Sequence, residues 1–260
     1  MKNTPSKSLW ETEEYYKVAH EGSLDLSHPG MVTLKALAED SKRILDLGCG
    51  DGTRLSYLSK GRYGVGIDTS KKAISLAKEK YKEVEFIDGN IEKLPFKDAS
   101  FDLVYSAFVL EHLTQPEVVL NEAIRVTAPK GKICLVAPNF GAPNRASPSF
   151  KGSRLRKLFK KALKDLFPDK DSERLDWDKV TPILNMGYKP DYDTTVEPYL
   201  GSLMRFIKNK GLTVKLYSSC WSQELGGVKL HQKIFRVLGE AGTYPFSLWG
   251  PHLLLVVEKK

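Results

Sequence analysis

Three glycines alternate with other residues in the segment ILDLGCGDGT: Gly48, Gly50 and Gly52, close behind the acidic Asp46 and interleaved with Cys49. Glycines at this spacing let a strand turn sharply into a helix and let the backbone approach a ligand closely, because no Cβ intervenes. The chemistry implied is the holding of a nucleotide-like ligand at the carboxyl end of a sheet. About twenty residues beyond the first glycine, GVGIDTS puts Asp68 and Thr69 at the end of the next apolar run, where a carboxylate can accept hydrogen bonds from both ribose hydroxyls. Each feature also has a plainer use. Glycines serve ordinary turns, and Asp68 stands where it could cap the helical pattern that begins at Lys71. A dinucleotide site needs a further glycine three residues after the second of the fingerprint, and that position is Thr53, which weighs against such a cofactor.

Two other groups of residues have chemical potential. His112, in LEHL, is the side-chain type that changes charge nearest neutral pH and is a candidate general base, with Glu111 as a solvated or structural neighbour. The insertion segment PDYDTTVEPYLG carries Asp191, Asp193, Glu197 and Tyr199, which are acceptor-side candidates by position, although loop carboxylates are commonly just solvated. Cys49, Cys134 and Cys220 lie far apart with no CxxC pair, so neither a disulfide framework nor a metal site is expected.

The elements that must position these residues follow from the hydrophobic pattern. Over 43–136, short runs rich in Val, Ile, Leu and Phe alternate with amphipathic stretches, the pattern of a parallel α/β sheet. Strands are expected at 43–47, 63–67, 84–87, 101–106 and 132–137, and helices at 53–60, 71–81 and 116–126, the last opening on a proline. After Pro138 the alternation stops. Residues 139–199 are rich in Pro, Asp and Lys, and a helix at 203–210 is ended by Gly211. Strands at 212–217 and 253–258 and a helix at 229–238 complete the chain. The predicted divisions are an N-terminal helical lid at 1–42, a ligand-binding core at 43–138, an insertion or acceptor-side cap at 139–201, and the rest of the same sheet at 202–260. The 260 residues, 41% of them hydrophobic, can bury one sizeable core. With no long apolar run and no secretory signal, a cytoplasmic protein is expected.

The segment acidic-x-Gly-x-Gly-x-Gly, matched by Asp46, Gly48, Gly50 and Gly52, resembles the first motif of the class I S-adenosylmethionine (SAM)-dependent methyltransferases, type 11-like members in particular. The likeness continues through GNIEKLPFKDASFDLVYSAFVLEHL and NEAIRVTAPKGKICLVAPN. It implies a seven-stranded Rossmann-like sheet with helices on both faces and an insertion after the fifth strand, binding SAM and releasing S-adenosylhomocysteine. By that resemblance Asp46 lies near the cofactor's amino group, Asp68 on the ribose, Asn90 and the Ile91 backbone at the adenine edge, and Ala107 and Phe108 at the methionine part. The chain departs from the pattern in having Asn90 where Asp is commoner, Ala128-Pro129-Lys130-Gly131 where Lys-Pro-Gly-Gly is usual, and a longer segment after the fifth strand.

On this reading the expected activity is methyl transfer to a small-molecule, lipid-linked or sugar acceptor, at oxygen. Positioning alone supplies roughly 7 to 11 kcal/mol in such a displacement. Trp10, Tyr15, Tyr16, His20 and His28 lie ahead of the first strand, where an aromatic face can attract the sulfonium or simply pack a helix on the sheet. Tyr15, Tyr16 and His28 are further acceptor-side candidates. Two alternatives stand beside this. The net charge of +8 fits an RNA or other nucleic-acid methyltransferase; Ser106-Ala107-Phe108-Val109 lacks the Pro-Pro-aromatic pattern of adenine-amino methylation, and no cysteine follows a proline as in cytosine C5 methylation. The other alternative is a SAM-binding scaffold without catalysis. Over 151–167, Leu155, Leu158, Phe159, Ala162, Leu163, Leu166 and Phe167 recur at helical spacing among Lys and Arg. That helix is expected to pack its apolar side over the cleft and solvate its charges, or else to meet an anionic membrane or a phosphorylated substrate.

Overall fold

The computed structural model describes residues 25, 27–168, 174–184, 189–221 and 230–260; Trp10, Tyr15, Tyr16 and His20 lie outside them. The elements are α1 (Pro29–Glu39), β1 (Arg43–Leu47), α2 (Thr53–Leu58), β2 (Tyr63–Asp68), α3 (Lys71–Lys80), β3 (Glu85–Asp88), β4 (Phe101–Ala107) and a 3-10 turn at Leu110–His112. They continue with α4 (Pro116–Val126), β5 (Thr127–Pro138), α5 (Arg154–Leu166), β6 (Asp178–Lys179), β7 (Val196–Glu197), α6 (Leu200–Asn209), β8 (Thr213–Ser218), α7 (Leu230–Glu240) and β9 (His252–Glu258).

Seven strands form one sheet in the order β3-β2-β1-β4-β5-β9-β8. The first five are parallel, whereas β9 runs antiparallel to both its neighbours. The β strands of the middle are apolar on both faces because both faces are covered. On one face α1, α2 and α3 bring Met31, Leu34, Leu55, Leu58 and Ile74 against Ile44, Tyr105 and Val136. On the other, α4 and α6 bring Val119, Leu120, Leu203 and Phe206 against Leu45, Val104 and Leu255. The described part of the predicted lid is therefore α1, a helix packed on the sheet.

Local signals set the element ends. Ser70, not Asp68, caps α3, its hydroxyl accepting from Ala73 N, and Pro116 opens α4. Strand β5 begins five residues before the expected 132, because Thr127 already pairs with Phe101 and the ladder then shifts register around the Ala128–Gly131 turn. In that turn Lys130 holds a left-handed φ of +62°, the conformation a glycine adopts without strain. The short antiparallel pair β6–β7, which joins Asp178 to Glu197 across the insertion, has no period-2 signature long enough to read.

The helix at 151–167 exists but faces the opposite way to the expectation. Lys157 and Lys161 are buried, while Leu155, Phe159, Leu163, Leu166 and Phe167 are exposed. The cause is electrostatic: Lys157 Nζ lies 2.5 Å from Glu197 Oε2, and Lys161 Nζ lies 3.3 and 3.4 Å from the carboxylates of Asp176 and Asp178. Among the described residues no helix is long and apolar enough to cross a membrane.

Candidate active site

Strand β1 pairs in parallel with β2 and β4, so the loops leaving all three converge at one edge of the sheet. The glycine loop is fixed there by its own amides. Gly48 N and Cys49 N both donate to Ile67 O, and Gly50 N donates to Asp68 Oδ2 at 2.9 Å. The other carboxylate oxygen of Asp68 accepts from Ser70 N, also at 2.9 Å. Asp68 thus ties the glycine loop to the start of α3. Gly52, at φ +75°, starts α2 and is pressed on Phe86, whose ring lies 2.4 Å from where a Cβ would stand. At Gly50 the equivalent position meets nothing within 4 Å, so this glycine faces open space.

Asp46 ends the approach to this loop and is fully buried. Its Oδ2 accepts from Tyr105 OH at 2.7 Å, while Oδ1 has no partner among the described residues. Burial pushes its carboxyl up to about 7, against the opposing pull of Arg54 and the Tyr105 hydrogen bond. Arg54 is itself buried, donates to Ala107 O at 3.3 Å, and leaves Nε without a partner among the described residues. Buried orphans of this kind are rare and costly. An orphaned carboxylate oxygen behind a glycine loop fits a ligand bearing an ammonium group, as SAM does.

Ala107 is buried and Phe108, next in the chain, holds a left-handed φ of +60°. Around Phe108 stand Arg54, with its guanidinium carbon 5.9 Å from the ring centroid, and the imidazoles of His28 and His252, both edge-on to it. The two histidines form a fixed tautomeric chain. Gly30 N donates to His28 Nδ1, so the His28 proton sits on Nε2 and is donated to His252 Nδ1 at 3.0 Å, leaving His252 protonated on its own Nε2. Burial lowers His28 to about 4 and His252 to about 3, so both are neutral near pH 7. Of the residues expected to border the adenine, Ile91 is buried, whereas Thr69 and Asn90 are exposed. Asn90 Oδ1 accepts from Glu92 N at 2.8 Å, a turn contact that leaves one lone pair on that oxygen.

The residues after β4 meet the insertion. His112 Nε2 is 3.8 Å from Glu111 Oε1, and its Nδ1 is 3.6 Å from Asp193 Oδ2. Thr195 N donates to Glu111 O at 2.8 Å and holds the two segments together. Of the two expected readings, Glu111 takes the structural one. It is 2% exposed, Oε2 has no partner among the described residues, and burial raises its carboxyl to about 7, with His112 opposing. Burial and the Asp193 charge also raise Asp191. Asp191 and Asp193 thus join His112, but Tyr199 does not: it is 1% exposed, and its hydroxyl donates to Asp165 on the inward side of α5.

Arg54, Tyr105 and His252 were not foreseen in the sequence. Arg54 and Tyr105 read there as ordinary helix and strand residues, and His252 comes to His28 from 224 positions away. The signal available in hindsight was polarity inside apolar runs: Asp46 and Tyr105 sit opposite each other in the β1–β4 register.

Residues 45–135 match the family described as a methyltransferase domain. The chain is similar to a demethylmenaquinone methyltransferase of Renibacterium salmoninarum, 35% identical over 108 residues, which cover 40% of this chain and 46% of that protein. It thus spans about half the length of the curated relatives it matches. Its fold is similar to a SAM-dependent methyltransferase from Aquifex aeolicus, with a TM-score of 0.53 and 17% identity over 95% of this chain and 97% of that one. A SAM-dependent methyltransferase from Mesorhizobium loti shares it with a TM-score of 0.52 and 17% identity over 88% and 97% of the two chains. Matched domain, strand order and glycine loop agree: residues 45–135 form a methyltransferase domain, set in the fold of the class I SAM-dependent methyltransferases.

Proposed function

We propose that this protein transfers a methyl group from SAM to an oxygen of a small-molecule, lipid-linked or sugar acceptor, with His112 as general base. The observation that carries the reading is His112 standing between the carboxylates of Glu111 and Asp193, at the strand edge that also bears the glycine loop. SAM, when bound, supplies an electrophilic methyl on a sulfonium. The chain's residues do the rest. Asp46 and Asp68 hold the cofactor's amino group and ribose, and Gly48, Cys49, Gly50 and Gly52 let the backbone lie against it. Thr69, Asn90 and Ile91 border the adenine, Ala107 and Phe108 the methionine part. His112 would accept the hydroxyl proton as the oxygen takes the methyl and the carbon–sulfur bond breaks, with S-adenosylhomocysteine as the leaving group, and the adjacent carboxylates would stabilise the imidazolium that results. A relative named for the small molecule demethylmenaquinone supports a small acceptor. His28 is a further acceptor-side residue through its contact with Phe108.

The test is transfer of labelled methyl from SAM into extract fractions. Product in a solvent-extractable or glycan fraction supports the proposal, and product destroyed by nuclease overturns it in favour of a nucleic acid. SAM binding with no labelled product in any extract favours a scaffold. Once an acceptor is in hand, His112→Ala is expected to slow turnover about 10²-fold with unchanged SAM affinity. Turnover near wild type removes His112 from the mechanism.

A further inference from the structure

Helix α5 is amphipathic, and it is mounted with its apolar side outward. Leu155, Phe159, Leu163 and Leu166 recur at intervals of four, four and three, which makes one stripe along the helix, and Phe167 extends it. These side chains are 58–74% exposed. The opposite side is polar and tied down. Lys157 reaches Glu197 and Phe140 O, Lys161 reaches Asp176 and Asp178, and Asp165 accepts from the Tyr199 hydroxyl and, at 3.1 Å, from Trp249 Nε1. Turning the helix to bury its leucines would strip buried charges of their partners, which is strongly unfavourable. The outward stripe is therefore held in place by the fold.

An exposed apolar stripe of this length marks an interaction surface. Its border identifies the partner. Arg154, Arg156 and Lys160 flank it in the exposed half of the helix. The one acidic residue within 151–167 is Asp165, which points inward to Trp249 and Arg205. A second copy seated on this stripe would set cations against cations. A surface offering apolar depth and negative charge together is an anionic lipid bilayer. Helix α7 repeats the design. Leu230, Ile234 and Val237 are exposed beside Lys233 and Arg236, while Phe235 packs inward on Trp221 and Phe246.

We propose that α5 docks the protein on an anionic membrane, its apolar stripe entering the boundary between headgroups and acyl chains about 5 to 10 Å deep. The basic border binds the lipid charge. The segment that anchors the helix is the one that builds the acceptor side of the site: Glu197 holds Lys157, and Asp193, four residues earlier, meets His112. Docking there serves an acceptor that resides in the membrane, a consequence that rests on the methyl-transfer reading above.

The experiment is co-sedimentation of the full chain with phosphatidylcholine vesicles, with and without phosphatidylglycerol, alongside calorimetric SAM binding. The expected result is binding to the phosphatidylglycerol vesicles that weakens with salt. Phe159→Ser with Leu163→Ser lowers it by roughly tenfold or more, since both side chains point away from the fold. SAM affinity of that double variant stays at the wild-type value, so a failure of docking is distinguishable from a failure of the cofactor reading. Three results overturn the proposal: no vesicle binding by the wild-type chain, equal binding to both vesicle types, or a solution dimer that the two serines dissociate.

Discussion

At the residue scale the site rests on charges placed where burial makes them conditional. Burial raises the Asp46 carboxyl to about 7, and an ammonium ligand at Oδ1 requires the ionised form. SAM affinity should therefore fall about tenfold for each pH unit below 7 and level off above it, with one proton released on binding at pH 6. Calorimetry in buffers of different protonation enthalpy measures this, and Asp46→Asn should bind weakly with a flat pH profile. The residues proposed to hold the cofactor could be named from the sequence because glycines and acids at fixed spacing have few alternative reasons. The acceptor residues were half legible. His112 and Asp193 could be named separately, but 81 positions separate them, and no local pattern reports their contact. Of the two readings of Glu111, solvated or structural, the sequence could not choose, because the insertion that meets its backbone at Thr195 lies far along the chain.

At the element scale, strands and helices over 43–138 were readable because propensity, period and capping agreed there. The insertion was not readable, since β6 and β7 are two residues each and α5 carries an apolar stripe whose orientation is decided by carboxylates on other segments. Two predictions follow from these packing arguments. Lys157→Met leaves Glu197 buried without its cation and should cost roughly 3 to 5 kcal/mol in urea unfolding. The double change with Glu197→Leu should recover much of that loss. Gly52→Ala forces a Cβ onto the Phe86 ring in a left-handed backbone, and should destabilise the fold by about 2 kcal/mol or more.

At the scale of the whole molecule, buried ionisable groups shape stability against pH in opposite senses. His28 and His252 are depressed to about 4 and 3, so the unfolded chain binds protons that the folded chain does not below about pH 6.5, and their contribution is lost as pH falls. Asp46 and Glu111 are raised to about 7, so the folded chain holds protons that the unfolded chain has released, and stability is lost as pH rises through that value. Asp46→Asn isolates the second effect. Relative to wild type, its stability should rise by up to about 1.4 kcal/mol per pH unit between roughly 4 and 7 and stay level above, as read by urea unfolding across that range. Asp46 belongs to the central claim, that SAM sits on the glycine loop between Asp46 and Asp68. Calorimetric titration of SAM into wild type and Asp68→Ala, with circular dichroism confirming that both are folded, tests it most directly. Saturable binding by wild type and none measurable by the variant is the predicted result, and equal affinities would contradict the account.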